Sequence, residues 1–90
     1  MTEVDKRIEE LGFKIDEIDD VCGYITYYKK EDDQRVELYF ADGKWLILSE
    51  SLSQYCGEYC DIHREPLGMT YEECKAFLDK IDELKETWKL

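Results

Sequence analysis

Residues 35–50 read RVELYFADGKWLILSE, and this stretch decides the predicted fold. Val36, Leu38 and Phe40 alternate with Glu37 and Tyr39, which is the period of a strand with one buried face. The Asp42-Gly43 pair that follows is typical of a two-residue hairpin turn. Residues 44–50 then resume as an apolar strand. We therefore predict two antiparallel strands, 35–41 and 44–50.

Two further strands are predicted before this hairpin. Residues 22–29 are rich in Tyr, Ile and Thr, and residues 13–19 begin with Phe13 and Ile15 in alternation. The polar turn 30–34 separates the second of these strands from the hairpin. The sequence thus predicts an antiparallel meander of three to four strands, in which the alternation of 13–19 is the weakest.

Helices are predicted at both ends of the chain. Thr2 is a suitable N-cap, apolar residues then repeat at helical spacing, and Gly12 is a typical stop. Residues 70–73, Thr-Tyr-Glu-Glu, form a capping box that opens a helix to about residue 89. We predict one α+β domain spanning residues 1–90, with both helices on one face of the sheet.

The charge balance excludes several kinds of partner. The chain carries 12 basic and 23 acidic side chains, for a formal net charge of -11. Such a surface repels phosphate backbones and anionic lipid, so we expect neither direct nucleic-acid binding nor membrane binding, and we favour a basic partner. Two Trp, seven Tyr and three Phe supply enough apolar surface for a core.

Residues 51–69 show no clean period and are predicted to be a long irregular loop. They contain Cys56, Cys60 and His63, and Cys74 follows in the first turn of the final helix. The short gaps between these residues are typical of structural zinc sites, and Cys and neutral His are ligands that zinc prefers. We predict that zinc binds Cys56, Cys60, His63 and Cys74 and fastens the loop to the fold.

Other assignments of these side chains stay open. Asp61 is a substitute ligand, and Cys22 is expected to be a small core residue that serves as a reserve ligand. Without metal, Cys74 would be a core residue and His63 a surface residue. The N-terminus has no apolar signal segment and no stretch is long enough to span a membrane, so we expect a cytoplasmic protein with reduced thiols.

The sequence does not favour an enzyme. The gap between Cys56 and Cys60 is one residue longer than the usual dithiol motif, and no βαβ pattern precedes it. A thiol-dependent hydrolase using His63 remains possible on paper, but no oxyanion-hole motif or nucleophile elbow accompanies these residues. We expect a non-catalytic protein.

Two acidic runs and the tyrosines are the candidate partner-binding residues. Residues 16–20 read DEIDD and residues 31–33 read EDD. Rows of carboxylates can imitate a phosphate backbone, although a solubilising surface is the commoner role of such runs. Tyr39, and with it Tyr27, is expected on an uncovered sheet face. The candidates are Asp16, Glu17, Asp19, Asp20, Glu31, Asp32, Asp33 and Tyr39.

A resemblance gives this expectation a concrete form. Residues 67–78, running on to Trp88-Lys89, resemble the C-terminal helix of short proteins from phages and prophages of Gram-positive bacteria, and residues 6–13 resemble their N-terminal helix. Small acidic phage proteins include the anti-CRISPR proteins, which this chain resembles in size and charge rather than in motif.

The resemblance implies an inhibitor that binds a type II CRISPR effector nuclease in the host-cell cytoplasm and hinders its loading of target DNA. The alternative is a zinc-stabilised phage or host regulatory module that binds proteins unrelated to CRISPR.

Overall fold

The computed structural model describes the backbone of residues 2–56 and 60–90 and the side chains of residues 2–51 and 65–90. The predicted α+β class is confirmed, with a helix at each end of an antiparallel sheet. A short 3-10 turn, Lys30–Asp32, joins the second and third strands. The elements are α1 (Glu3–Glu10), β1 (Lys14–Asp19), β2 (Tyr24–Lys29), β3 (Gln34–Ala41), β4 (Lys44–Cys56), β5 (Cys60–Pro66) and α2 (Tyr71–Trp88).

The sheet has five strands in the order β1-β2-β3-β4-β5, one more than the upper limit predicted. The added strand is β5, which pairs with β4 from Glu50–Pro66 to Cys56–Cys60. The prediction of an irregular loop over residues 51–69 is therefore wrong for the parts that lie in β4 and β5. Because β3 pairs with β4 only as far as Ser51, residues 52–56 and 60–64 form a two-stranded extension, here named the β4–β5 arm.

Local sequence explains the ends of the elements. Thr2 and Thr70 each cap a helix in a complete capping box with the residue three positions later. The hairpin between β3 and β4 turns at Asp42 and Gly43, which both have positive φ angles, 54° and 76°. This is the type I′ geometry that Asp-Gly favours. The turn fixes the β3–β4 register at Ala41 opposite Lys44.

The core lies between one face of the sheet and both helices, as predicted. Phe77 of α2 is fully buried, and its ring centroid lies 5.1 Å from Phe13 and 5.2 Å from Tyr27. At the other end of α2, the ring centroids of Trp88 and Trp45 lie 5.9 Å apart. The buried cluster comprises Ile8, Phe13, Ile25, Tyr27, Val36, Leu38, Ala76, Phe77, Ile81 and Leu84.

Ion pairs fasten α1 to α2 beside this core. Arg7 donates to Asp79 at 2.6 Å, and the Lys80 ammonium lies 2.8 Å from an oxygen of Asp5. The Lys80 side chain is only 9% exposed, so its charge is compensated by carboxylates rather than by water. Within residues 2–56 and 60–90, no helix is long and apolar enough to cross a membrane.

Candidate partner-binding surface

The sheet face opposite the helices, here named the outer face, carries the candidate surface. Successive strand residues alternate between faces, and Ile25, Val36 and Leu38 point into the core. Residues one position away therefore lie on the outer face, and both helices contribute their buried residues to the other side. The outer-face residues of the first four strands, as far as Glu50 in β4, are Lys14, Glu17, Asp19, Tyr24, Thr26, Tyr28, Arg35, Glu37, Tyr39, Ala41, Lys44, Leu46, Leu48 and Glu50.

Aromatic and apolar side chains meet carboxylates in the middle of this face. Tyr39 is the register partner of both Tyr24 and Leu46. In the next row, Leu48 lies opposite Glu37. Leu46 and Leu48 are 39% and 40% exposed, whereas Tyr24, Tyr39 and Glu37 are half-buried. Rigid amphipathic tyrosines beside exposed leucines are typical of protein interfaces.

The structure places the two tyrosines of the prediction on opposite faces. Tyr39 lies on the outer face. Tyr27 does not: it is 2% exposed and belongs to the core, so its prediction as a surface residue is wrong. The physical reason is the register, which sets Tyr27 opposite the buried Val36. Burial raises the pKa of Tyr27, and the carboxylates of Asp5 and Glu83 add to the effect.

The first acidic run occupies an edge of the sheet. Asp16, Glu17 and Asp19 lie in β1, which pairs only with β2 among the described strands, and Asp20 begins the following turn. Glu17 accepts a hydrogen bond from the Tyr24 hydroxyl at 3.3 Å. Asp16 and Asp20 are exposed and are the two members of this run that form no hydrogen bond or ion pair with other described residues.

Asp19 has a structural role in the turn after β1. One of its carboxylate oxygens accepts hydrogen bonds from the backbone N–H groups of Val21 and Cys22, both at 2.9 Å. The N–H of Cys22, followed by that of Val21, lowers the pKa of Asp19, while the slight desolvation of the carboxyl acts in the opposite direction. Asp19 therefore stays charged in mild acid, which keeps both the turn and the negative edge intact.

The second acidic run lies at the opposite end of β2. Asp33 has a positive φ of 47° and accepts a hydrogen bond from the Tyr28 hydroxyl at 2.8 Å. Asp32 pairs with Lys29 at 3.3 Å, and Glu31 is exposed. The first run lies beside the first half of β2, where Asp19 is opposite Tyr24, and the second run follows the end of β2. The pair Lys14–Tyr28 lies between them, so the two runs do not form one continuous patch. The edge run and the outer face are the contiguous surface.

The predicted metal ligands lie mainly in the β4–β5 arm. Cys56 and Cys60 are register partners at the end of the arm, and His63 lies opposite Ser53. The side chains of Cys56, Cys60 and His63, like that of the substitute ligand Asp61, lie outside the described residues. Among the side chains described, residues 2–51 and 65–90, no group of three or more His, Cys, Asp or Glu is arranged to hold a metal ion.

Cys74 lies at the base of this arm rather than at its end. The carboxylate of its neighbour Glu73 lies 3.4 Å from the ammonium of Lys29. Lys29 is opposite Gln34 in β3, and Gln34 is opposite Ser51 in β4, where the arm begins. Cys56 is five residues further along β4, about 17 Å in an extended strand. The backbone thus brings Cys56 and Cys60 together, and Cys74 would join them only if the arm folded back over the start of α2.

Cys22 is not a core residue. It is exposed in the turn between β1 and β2, and β2 begins at Tyr24 rather than at Cys22. The prediction failed because Cys22 lies in a turn and not in β2. The backbone N–H of Cys22 donates to the carboxylate of Asp19, and the positive φ of Gly23, 82°, leads the chain from this turn into β2. This turn and Ser51 lie at opposite ends of the sheet. Cys22 is therefore far from the other candidate ligands, which lie near or beyond Ser51.

No family model, no curated protein and no solved structure matches this chain.

Leu46 and Leu48 are the exposed apolar residues of the outer face that the sequence prediction did not single out. The sequence does contain a signal for these two leucines. The two-residue turn at Asp42-Gly43 sets Tyr39 opposite Leu46, and because Tyr39 is predicted to face away from the core, Leu46 must do so as well. Residues 45–48 are all apolar, so the sequence of this strand does not by itself distinguish its exposed face from its buried face.

Proposed function

We propose that this chain is a non-catalytic inhibitor that binds a basic, nucleic-acid-handling protein through the outer face and the acidic edge of β1. The most concrete partner is a type II CRISPR effector nuclease, whose loading of target DNA the bound chain would hinder. The observation that carries the proposal is an uncovered sheet face that combines Tyr39, Leu46 and Leu48 with a carboxylate edge. The proposed site of action is the host-cell cytoplasm, where such a nuclease acts and where thiols are normally reduced.

Two kinds of contact contribute to the proposed binding, long-range attraction between charges and close apolar contact. Carboxylates at Asp16 and Asp20 are exposed and attract a basic channel over a range set by ionic strength, about 10 Å at 0.1 M salt. Apolar contact at Leu46 and Leu48 then removes surface from water, which is the term that holds a complex together. A chain bound in this way would cover the positive surface that DNA phosphates need.

Charge reversal of the edge tests the electrostatic part. The Asp16→Lys/Asp20→Lys variant is expected to bind the nuclease about tenfold or more weakly at low salt, a loss of about 1.4 kcal/mol or more. The matched control is Glu72→Lys/Glu86→Lys, which changes the net charge equally at exposed positions of α2. Affinity is measured directly, and inhibition is measured as cleavage of target DNA across a salt series.

The two variants separate local from global charge effects. If both weaken binding equally, net charge rather than the β1 edge is responsible. If neither changes the affinity, the electrostatic part of the proposal is lost. Recovery of a transcription or replication protein, with no nuclease, from the host cytoplasm would support the regulatory module instead.

Zinc at the β4–β5 arm is part of the same proposal. The spacing of Cys56, Cys60 and His63 and the register pairing of the two thiols support it. Zinc would contribute a fixed geometry to a two-stranded element, which is marginally stable by itself in water. The ion would be structural and would take no part in a reaction.

Elemental analysis of the purified protein is expected to find about one zinc per chain. Cys60→Ser should lose the zinc, and Cys22→Ser should retain it because Cys22 lies in the distant β1–β2 turn. Cys74→Ser tests whether Cys74 is a ligand. The variant should lose zinc if all four residues bind the ion, and it should retain zinc if the site is confined to the β4–β5 arm. Zinc-free wild-type protein with four freely reactive thiols would exclude the site.

A further inference from the structure

The edge of β1 borders a cleft on the helix side of the sheet. The cleft lies between α1 and β1 and has a volume of about 320 Å³. Its wall is largely apolar, and its polar lining residues are Asp5 and Glu9 of α1 and Lys14 of β1. The apolar wall comprises Ile8, Phe13, Ile15 and Tyr27. This is a second uncovered surface, distinct from the outer face but sharing the strand β1.

The two sides of β1 have opposite chemistry. Ile15 and Ile18 lie on the helix side, opposite Tyr27 and Ile25, yet they are 55% and 58% exposed because α1 does not cover them. Glu17 and Asp19 lie on the other side, with Lys14 at the start of the strand. An edge strand of this kind offers apolar contact on one face and negative charge on the other.

Tyr27, which lines the cleft, has a buried hydroxyl group without a hydrogen-bond partner among the described residues. Tyr27 is 98% buried, and its hydroxyl oxygen forms no hydrogen bond with a described residue, although the carboxylates of Asp5 and Glu83 are near enough to raise its pKa. Buried hydroxyl groups usually have a partner.

We propose that an extended basic segment of the partner adds to the sheet as a sixth strand beside β1. Its apolar side chains would lie over Ile15 and Ile18 and enter the cleft, and its lysine or arginine side chains would face Glu17 and Asp19. Backbone hydrogen bonds provide affinity in this mode of recognition and alternate side chains provide specificity. The inference rests on the proposed function, since it names the part of the basic partner that docks.

Charge selects this occupant over a second copy of the chain. Two β1 edges side by side would bring the carboxylates of Asp16, Glu17 and Asp19 against their own copies, and like charges opposed across strands are destabilising. The bulge between Ile15 and Glu17 also interrupts a long flat edge. The bulge affects pairing with any added strand, so it is the charge alone that distinguishes a basic strand from a second copy.

The test uses the full chain and a defined probe. The probe is a capped octapeptide that alternates lysine with valine or isoleucine, and the control peptide has the same composition with its lysines contiguous. We expect the alternating peptide to bind about tenfold more tightly than the control. Its amide chemical-shift changes should concentrate in residues 14–19 and spare the solvent side of α2.

Matched variants identify the docking face. Ile18→Lys is expected to weaken the alternating peptide about tenfold, whereas Leu78→Lys should leave its affinity within about twofold. Both replace an apolar side chain that is more than half exposed, 58% and 54%, and both add one positive charge. Neither residue contributes to the buried core, so both variants should remain folded.

Each other result overturns the inference in a recognisable way. Equal binding of both peptides, or equal effects of the two variants, would show non-specific attraction and leave the basic-partner proposal standing. No binding of either peptide would exclude strand addition, while the nuclease experiment with Asp16→Lys/Asp20→Lys would still decide the proposed function. A dimer of the chain alone that Ile18→Lys dissociates would assign the β1 edge to a second copy.

Discussion

Replacing Phe77 with alanine is expected to lower the free energy of unfolding by about 3–5 kcal/mol. The ring has no exposed surface and joins α2 to the sheet through Tyr27 and to the segment after α1 through Phe13. Its removal loses both the transfer free energy of the ring and the contacts around the cavity left behind. Since domains of this size are stable by only about 5–15 kcal/mol, the variant should be close to unfolding at room temperature.

Urea denaturation followed by tryptophan fluorescence measures this loss, because the ring pair of Trp45 and Trp88 packs at the far end of the same core. The control is Leu78→Ala, one residue along α2, where the side chain is 54% exposed and the expected change is within about 0.5 kcal/mol. Similar losses in the two variants would contradict the placement of α2 on the sheet.

Most of the sheet and both helices were predictable from local chemistry. The β3–β4 hairpin is specified twice, by the alternation along residues 35–41 and by the Asp42-Gly43 turn, and these signals agree. Each helix is likewise specified by a capping box and by an apolar stripe. Elements for which two independent signals agree were placed correctly.

The strand β5 was not predictable in the same way. A strand is recognised in sequence when one of its faces is buried, since burial imposes an apolar period of two. The β4–β5 arm extends beyond Gln34–Ser51, the last β3–β4 pair in that direction. Its pairing follows from hairpin backbone hydrogen bonds, which leave no apolar period in the sequence.

The face of β2 was misjudged because tyrosine gives an ambiguous signal. Tyr24, Tyr27 and Tyr28 suit either a core or a surface. Ile25 was the informative residue: it is fully buried, and Tyr27, two positions later, must share its face. The make-up of the candidate site depends on which residues of β2 face the core. Since alternate residues of a strand face opposite sides, Tyr24 and Tyr28 lie on the outer face beside Tyr39 and Arg35.

Replacing Lys80 with alanine is expected to destabilise the fold by about 3 kcal/mol at neutral pH. The Lys80 ammonium lies 2.8 Å from Asp5 and 3.5 Å from Glu83, and its side chain is almost fully buried. Without it, two carboxylates would face each other beside the buried Tyr27 hydroxyl, with no positive charge between them. The control is Lys85→Ala, whose exposed pair with Asp82 should be worth less than about 1 kcal/mol.

The pH dependence of this loss tests its cause. Burial by itself would raise the pKa of Asp5, but the Lys80 ammonium and the Thr2 hydrogen bonds hold the pKa of Asp5 below its ordinary value. The stability that depends on charged Asp5 is therefore present above about pH 4 and is lost as the pH falls through the lower pKa of the folded state. The difference between wild type and Lys80→Ala should accordingly shrink in acid, as measured by urea denaturation between about pH 7 and pH 3. An equal difference at both ends of that range would mean that Lys80 stabilises α1 against α2 by packing its methylene chain, not by pairing its charge.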